Sequence, residues 1–409
     1  MLERVARRSI LFLVLGVFAL ANLGAAPLDN QGNAASHAPD RILVKFKSGT
    51  DPASAAAVHR QNGGTVIDTI PQVGVQVVTV PAGTVPAKVI DYGRSPSVQY
   101  AEPDYIANAV GKPTPTPTPS PTPAPSTGPN DPYLSQQWGM ATVQAPRAWA
   151  VTTGSSTVPI AILDTGIYQN HPDLSSKIVA QKNFTDSLTL DDMYGHGTHV
   201  AGIAAAATNN GVGVAGLGYN SRIMNGKVLD DTGSGYYSWI ANGITWATDN
   251  GAKVINMSLG GTAADSTLAS AVDYAWSKGV VVVAAAGNNG NSLPFYPAAY
   301  DNCIAVGATD RKDAKASFSN YGSWVDVAAP GVDIYSTYNT GGYTSMSGTS
   351  MASPHVAGLA ALVWATNYGT GYGTGNASVR SRIENGTVQT GRGAQWTAHG
   401  LINAYNAVK

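Results

Sequence analysis

Four short runs, residues 158–163, 222–229, 253–259 and 279–286, are apolar almost without interruption. A strand with one wet face alternates apolar and polar residues. A run that is apolar on successive residues needs cover on both faces, the state of a strand in a parallel sheet with helices above and below. Helical patterns lie between the runs, at 196–209, 237–249 and 267–278. Residues 130–409 therefore predict a three-layer α/β/α unit with a mainly parallel central sheet.

The rest of the 409-residue chain divides by composition. Residues 1–26 carry Arg4, Arg7 and Arg8, then an apolar run, then Gly24 and Ala26, the pattern of a cleaved secretory signal. Residues 41–106 read β-α-β-β-α-β, a small ferredoxin-like α+β domain within a unit spanning 27–110. About 70 residues is marginal for stability alone. Residues 113–125, PTPTPTPSPTPAP, lie in a Pro/Thr-rich linker spanning 111–129. Alternating proline fixes φ and removes amide donors, which makes a semi-rigid spacer.

Charge excludes some functions. Lys and Arg number 24 against 25 Asp and Glu, so the basic field that nucleic acid requires is missing. No segment beyond the leader has the apolar length to cross a membrane, and the processed chain is expected to be an exported monomer. Cys303 is the single cysteine, so disulfides cannot staple the chain and bound ions are the natural substitute. It lies in an apolar strand and reads as a buried, inert thiol.

Three motifs carry chemistry: D-T-G at 164–166, H-G-T-H at 196–199 and G-T-S-M-A-S-P at 348–354. A second D-T-G at 231–233 raises the possibility of an aspartic dyad, but both copies end strands of an α/β pattern. His196 and His199 stand three apart and evoke a zinc pair, without a third ligand at helical spacing. Read together, the motifs make one site. Asp164 ends a strand, where its carboxylate orients an imidazole. His196 opens a helix after a glycine, and Ser350 opens a helix whose amides favour an oxyanion. An alcohol nucleophile needs such a base, and the base needs such an acid.

The order Asp…His…Ser, with H-G-T-H-V-A-G and G-T-S-M-A-S-P-H-V-A-G, resembles the subtilisin-like serine peptidase family. N-D-P-Y at 130, A-K-V-I-N-M-S-L-G-G at 252 and Y-G-S-W-V-D-V-A-A-P-G at 321 are similar to its thermitase-like branch. The resemblance implies a broad-specificity endopeptidase working through an acyl-enzyme, with Ser350 as nucleophile, His196 as base and Asp164 as orienting acid. It implies Asn288 as oxyanion donor, partnered by the Ser350 N–H. Gly233, Ser234, Gly235, Ser258, Leu259 and Gly260 would flank an extended peptide backbone, with Phe295 either flooring the first pocket or turned into the core. It further implies a structural Ca2+ held by Asp131, Asp173 and Asn210 with the carbonyls of Ala207, Val212 and Val214. Residues 27–110 resemble the family's inhibitory propeptide, with self-cleavage expected after Val110. The alternative is a silent module of the same fold that only binds extended peptides.

Overall fold

The computed structural model describes residues 35–111, 128–366, 375–389 and 396–409. The expected leader, 1–26, and the proline-rich run, 113–125, lie outside them.

The first unit runs β1 (His37–Phe46), α1 (Pro52–Asn62), β2 (Thr65–Ile70), β3 (Val75–Thr79), α2 (Val85–Gly93) and β4 (Val98–Ala109). This is the expected β-α-β-β-α-β order. Its strands pair antiparallel in the order β4-β1-β3-β2. Strand alternation sends Ile42, Val44 and Val78 to one face, where they pack with Val85 and Tyr92 of α2. Leu43, Val75 and Val77 face the other way. A unit this small cannot cover both faces of its own sheet.

The second unit contains α3 (Trp138–Thr142), α4 (Ala145–Trp149), β5 (Ile160–Asp164), β6 (Ile178–Asn183), α5 (His196–Ala205), β7 (Ile223–Lys227) and β8 (Ser234–Tyr236). There follow α6 (Tyr237–Asp249), β9 (Val254–Met257), β10 (Leu259–Gly260), α7 (Ser266–Ser277), β11 (Val281–Ala285), β12 (Ile304–Thr309) and β13 (Val327–Pro330). The chain ends with β14 (Ile334–Thr337), β15 (Tyr343–Met346), α8 (Thr349–Ala365), α9 (Asn376–Asn385), β16 (Gly400–Leu401) and α10 (Ala404–Val408). Eight strands form one sheet in the order β16-β13-β12-β11-β9-β5-β7-β6, and every pairing in it is parallel. One face, with Ile160, Ile162 and Ile223, packs on α5 and α8; the other, with Ala161, Leu163 and Met224, packs on α6 and α7. Helix α8 is buried from Thr349 to Val363 and apolar all round, as a central helix must be.

The 253–259 run is not one strand. It stays in the sheet as β9, and β10 leaves it to pair with β4. The helix expected over 196–209 stops at Ala205, because the chain turns back there and Ala207 N–H bonds to Asp173 O.

The two units meet through α6 and α7. Leu43, Ile70, Val75 and Val77 share a core cluster with Ile240, Ile244 and Leu268. Two carboxylates from β4 cap the same helices. Asp104 accepts from Ser238 N (2.9 Å) and Ser238 Oγ (2.6 Å), and Glu102 accepts from Ser266 N (3.0 Å) and Thr267 N (2.9 Å). Helix N-termini have orphan N–H groups and a positive dipole end, so each acid satisfies both. Replacing Glu102 and Asp104 together by alanine should cost about 2–4 kcal/mol of docking, at 1–2 kcal/mol per cap. Amide exchange in the first turns of α6 and α7 would then accelerate; unchanged exchange would show that water serves the helix ends equally well.

Candidate active site

Asp164 ends β5 inside the sheet, between β7 and β9, and is fully buried. Its Oδ1 accepts from Thr165 N (2.8 Å) and lies 2.7 Å from His196 Nδ1. His196 is the first residue of α5, whose N-cap, Gly195, has φ of 95° and no side chain to cap with. Asp192 does that work. It accepts from Gly195 N (2.7 Å), Thr198 N (2.8 Å), Thr198 Oγ1 (2.7 Å) and Thr165 Oγ1 (2.8 Å). Thr165 Oγ1 in turn accepts from Gly197 N at 2.9 Å. A Cβ on Gly197 would stand 2.2 Å from Gly166 O, so only glycine lets the helix start this close to β5. Burial opposes charge on His196, but the Asp164 carboxylate and its hydrogen bond, with Asp192 behind, outweigh it and raise the imidazole above its ordinary value.

Ser350 sits in the first turn of α8. Pro354, four residues on, has no N–H for the Ser350 carbonyl. That carbonyl instead accepts from Ser258 Oγ at 2.8 Å, which ties the nucleophile turn to the end of β9. The Ser350 hydroxyl points at Val110 O and at Ser258 O (2.9 Å). His196 Nε2 has no hydrogen-bond partner. The Ser350 hydroxyl is thus turned to the Val110 carbonyl and not to His196 among the described residues. Asn288 Oδ1 accepts from Thr349 N and Thr349 Oγ1, both 2.9 Å, which leaves Nδ2 aimed at Val110 O, 3.1 Å away.

Val110 follows β4, which is threaded between two short strands. Ile106, Ala107 and Asn108 pair with Tyr236, Gly235 and Ser234 on one side; Asn108 and Ala109 pair with Gly260 and Leu259 on the other. Ala109 N donates to Gly233 O (2.8 Å) and Val110 N to Ser258 O (3.3 Å). Gly233, Ser234, Gly235, Ser258, Leu259 and Gly260 thus lie along the two edges of the Ile106–Val110 backbone. The Phe295 side chain is buried. Its ring lies against Gly260 and Gly287, where an added Cβ would approach it to 2.4 and 3.0 Å, and it lines one cavity with Val110 and Asn288.

Asp131 and Asp173 are buried without an ion pair among the described residues. Asp131 accepts from Asn209 N (2.8 Å) and Asn210 N (3.2 Å); Asp173 accepts from Asn210 Nδ2 (2.8 Å), Val214 N (2.9 Å) and Tyr343 Oη (3.1 Å). Burial raises both, Asp173 to about 6. These two buried carboxylates and the amide are oxygen donors of the kind a hard cation takes, while no group of three or more His, Cys, Asp or Glu placed to hold a metal occurs among the described residues. Asn210 presents its N–H to Asp173 and its oxygen to Val212 N, so coordination through that oxygen requires the amide to rotate.

Asp192 and Thr349 were not among the expected site residues. An aspartate shortly before a helix-opening His, and a threonine just before the Ser, were the available signals.

Comparison with known proteins agrees with this geometry. Residues 155–400 match the family model described as the subtilase family, and residues 25–104 match the fervidolysin N-terminal prodomain. The chain is 45% identical to the thermophilic serine proteinase of Bacillus sp. (strain AK1), over 90% of this chain and 86% of that protein. It is 54% identical to thermitase of Thermoactinomyces vulgaris, over 69% of this chain and 99% of that protein. Subtilisin E of Bacillus subtilis (strain 168) is 38% identical over 98% of each.

The Phe295 ring and Val110 line the same cavity. Replacing Phe295 by glycine should raise cleavage after Phe and Tyr relative to Val by about tenfold, read on a peptide library. An unchanged profile would show that the ring does not bound this pocket.

Proposed function

The chain belongs to the subtilase family and is a serine peptidase with an N-terminal prodomain; on that premise we propose that it is exported as a zymogen, cuts itself after Val110, and then hydrolyses extended polypeptides with broad side-chain tolerance. The observation that carries the reading is the Val110 carbonyl, which meets Ser350 Oγ and Asn288 Nδ2 while its strand is paired on both edges.

The chemistry follows from those atoms. Ser350 Oγ attacks the Val110 carbonyl carbon as His196 Nε2 takes the hydroxyl proton, and Asp164 holds the imidazolium through Nδ1. Asn288 Nδ2 and the Ser350 N–H stabilise the oxyanion. His196 then protonates the Gly111 nitrogen, leaving an acyl-enzyme on Ser350. Water, deprotonated by His196, releases the acid. Main-chain pairing to Gly233, Ser234, Gly235, Ser258, Leu259 and Gly260 recognises any extended segment, so side chains matter little outside the first pocket. Until release, residues 27–110 act as an intramolecular inhibitor. The domain reading is signal 1–26, propeptide 27–110, linker 111–129 and a monomeric catalytic unit 130–409. Asp131, Asp173 and Asn210, with the carbonyls of Ala207, Val212 and Val214, would hold a structural Ca2+ that neutralises the buried acids.

The test is the intact mass of the purified proform, wild type beside Ser350→Ala. Wild type should split after Val110 while the variant stays whole, with peptide kcat falling on the order of 10⁶, the scale of nucleophile loss in this family. If both stay whole while folded, the silent binding module is the better reading. Removing calcium with EGTA should lower the thermal midpoint by about 5–10 °C, the shift expected for a ligand held near 100 Kd. Asp173→Asn should erase that difference; a midpoint indifferent to EGTA would refute the metal.

A further inference from the structure

The outer end of β8 carries a feature that peptide-bond hydrolysis does not use. Tyr236 and Trp239 form an edge-to-face ring pair with centroids 4.6 Å apart. The Arg41 guanidinium of β1 lies 4.3 Å from the Tyr236 centroid and 5.9 Å from that of Trp239. Among the described residues its single ion-pair contact is Asp104 at 3.8 Å, and its Nε has no hydrogen-bond partner. The rings are thus a large part of what holds this cation. The same groove is walled by Ile106, Asp186, Asp230 and Asp231. Lys227 Nζ pairs with Asp231 at 2.9 Å, and Asp230 Oδ1 takes the N–H groups of Thr232 and Ser234. Three carboxylates against one ammonium leave the groove negative, and Arg41 is not among its lining residues.

We propose that this groove is a cation subsite that takes an arginine or lysine side chain of the substrate at the fifth residue upstream of the cleaved bond. The position follows from register. Ile106 pairs with Tyr236, lines the groove, and is the fifth residue counting back from Val110. A basic side chain there meets the ring faces, which attract cations through their quadrupoles, and then the Asp186 carboxylate at the rim. Arginine suits the site better than lysine, because its planar head stacks and is weakly hydrated. Arg41 reaches the same two rings from the neighbouring strand, which shows that they can hold a guanidinium.

The inference rests on the peptidase reading, and the test separates the two. Two internally quenched peptides would differ only at the fifth residue upstream of a cleaved valine, one carrying Ala and one Arg. With the self-processed enzyme at low salt, kcat/KM for the Arg peptide should exceed that for the Ala peptide about five- to tenfold. The ratio should fall below about twofold in Trp239→Ala and in Asp186→Asn, the latter on an exposed loop where folding is not at stake. A wild-type ratio near one, or a ratio that survives both substitutions, would overturn the subsite while leaving the peptidase intact. If neither peptide is cut, the peptidase reading itself fails and the subsite with it.

Discussion

Two rows of main-chain hydrogen bonds, from Ile106–Val110 to the edges at 233–236 and 258–260, set the geometry of everything around them. They bring the Val110 carbonyl to Ser350 and Asn288, and they carry the first unit's sheet onto α6 and α7. Each such bond is worth only about 0.5–1.5 kcal/mol net. Docking therefore also draws on the apolar face of Leu43, Val75 and Val77 and on the caps from Glu102 and Asp104. The arrangement resolves the small unit's deficit: the sheet face it cannot cover alone is covered by the helices of its partner.

A second layer of contacts holds the chemistry in place. A buried carboxylate beside an imidazole is costly unless its lone pairs are satisfied and its geometry is rigid. Thr165 N supports Oδ1 of Asp164, whose Oδ2 has no hydrogen-bond partner among the described residues, and Asp192 knits β5 to the start of α5 through Thr165 and Thr198. Pro354 frees the Ser350 carbonyl for Ser258, so the residue whose carbonyl takes the Val110 N–H also braces the turn that carries Ser350. Thr349 fixes which end of the Asn288 amide faces the cleft. None of these groups reacts; each removes a rotation that the reacting groups would otherwise have.

Much of this was legible beforehand. Continuous apolar runs gave away the parallel sheet, because a strand covered on both faces leaves no polar position to alternate. Asp164, His196, Ser350 and Asn288 stood out because their chemistry demands particular residue types at the ends of elements. Supporting residues did not stand out. Asp192 and Thr349 are ordinary polar residues whose importance lies in what folds against them. The 253–259 run shows the same limit: β10 belongs to a different sheet from β9 because a strand from 150 residues upstream lies beside it, and no local pattern reports that neighbour.

By itself, then, the sequence determined the α/β class and the two-unit order and singled out the candidate catalytic side chains, since apolar periodicity and catalytic residue types are local properties. Tertiary structure alone decided that the Ser350 hydroxyl turns to the Val110 carbonyl rather than to His196, and that the Phe295 ring lies against Gly260 and Gly287. It alone joined Arg41 to the Tyr236–Trp239 pair. These are contacts between residues far apart in the chain, and their energies depend on distances that only the packed whole sets.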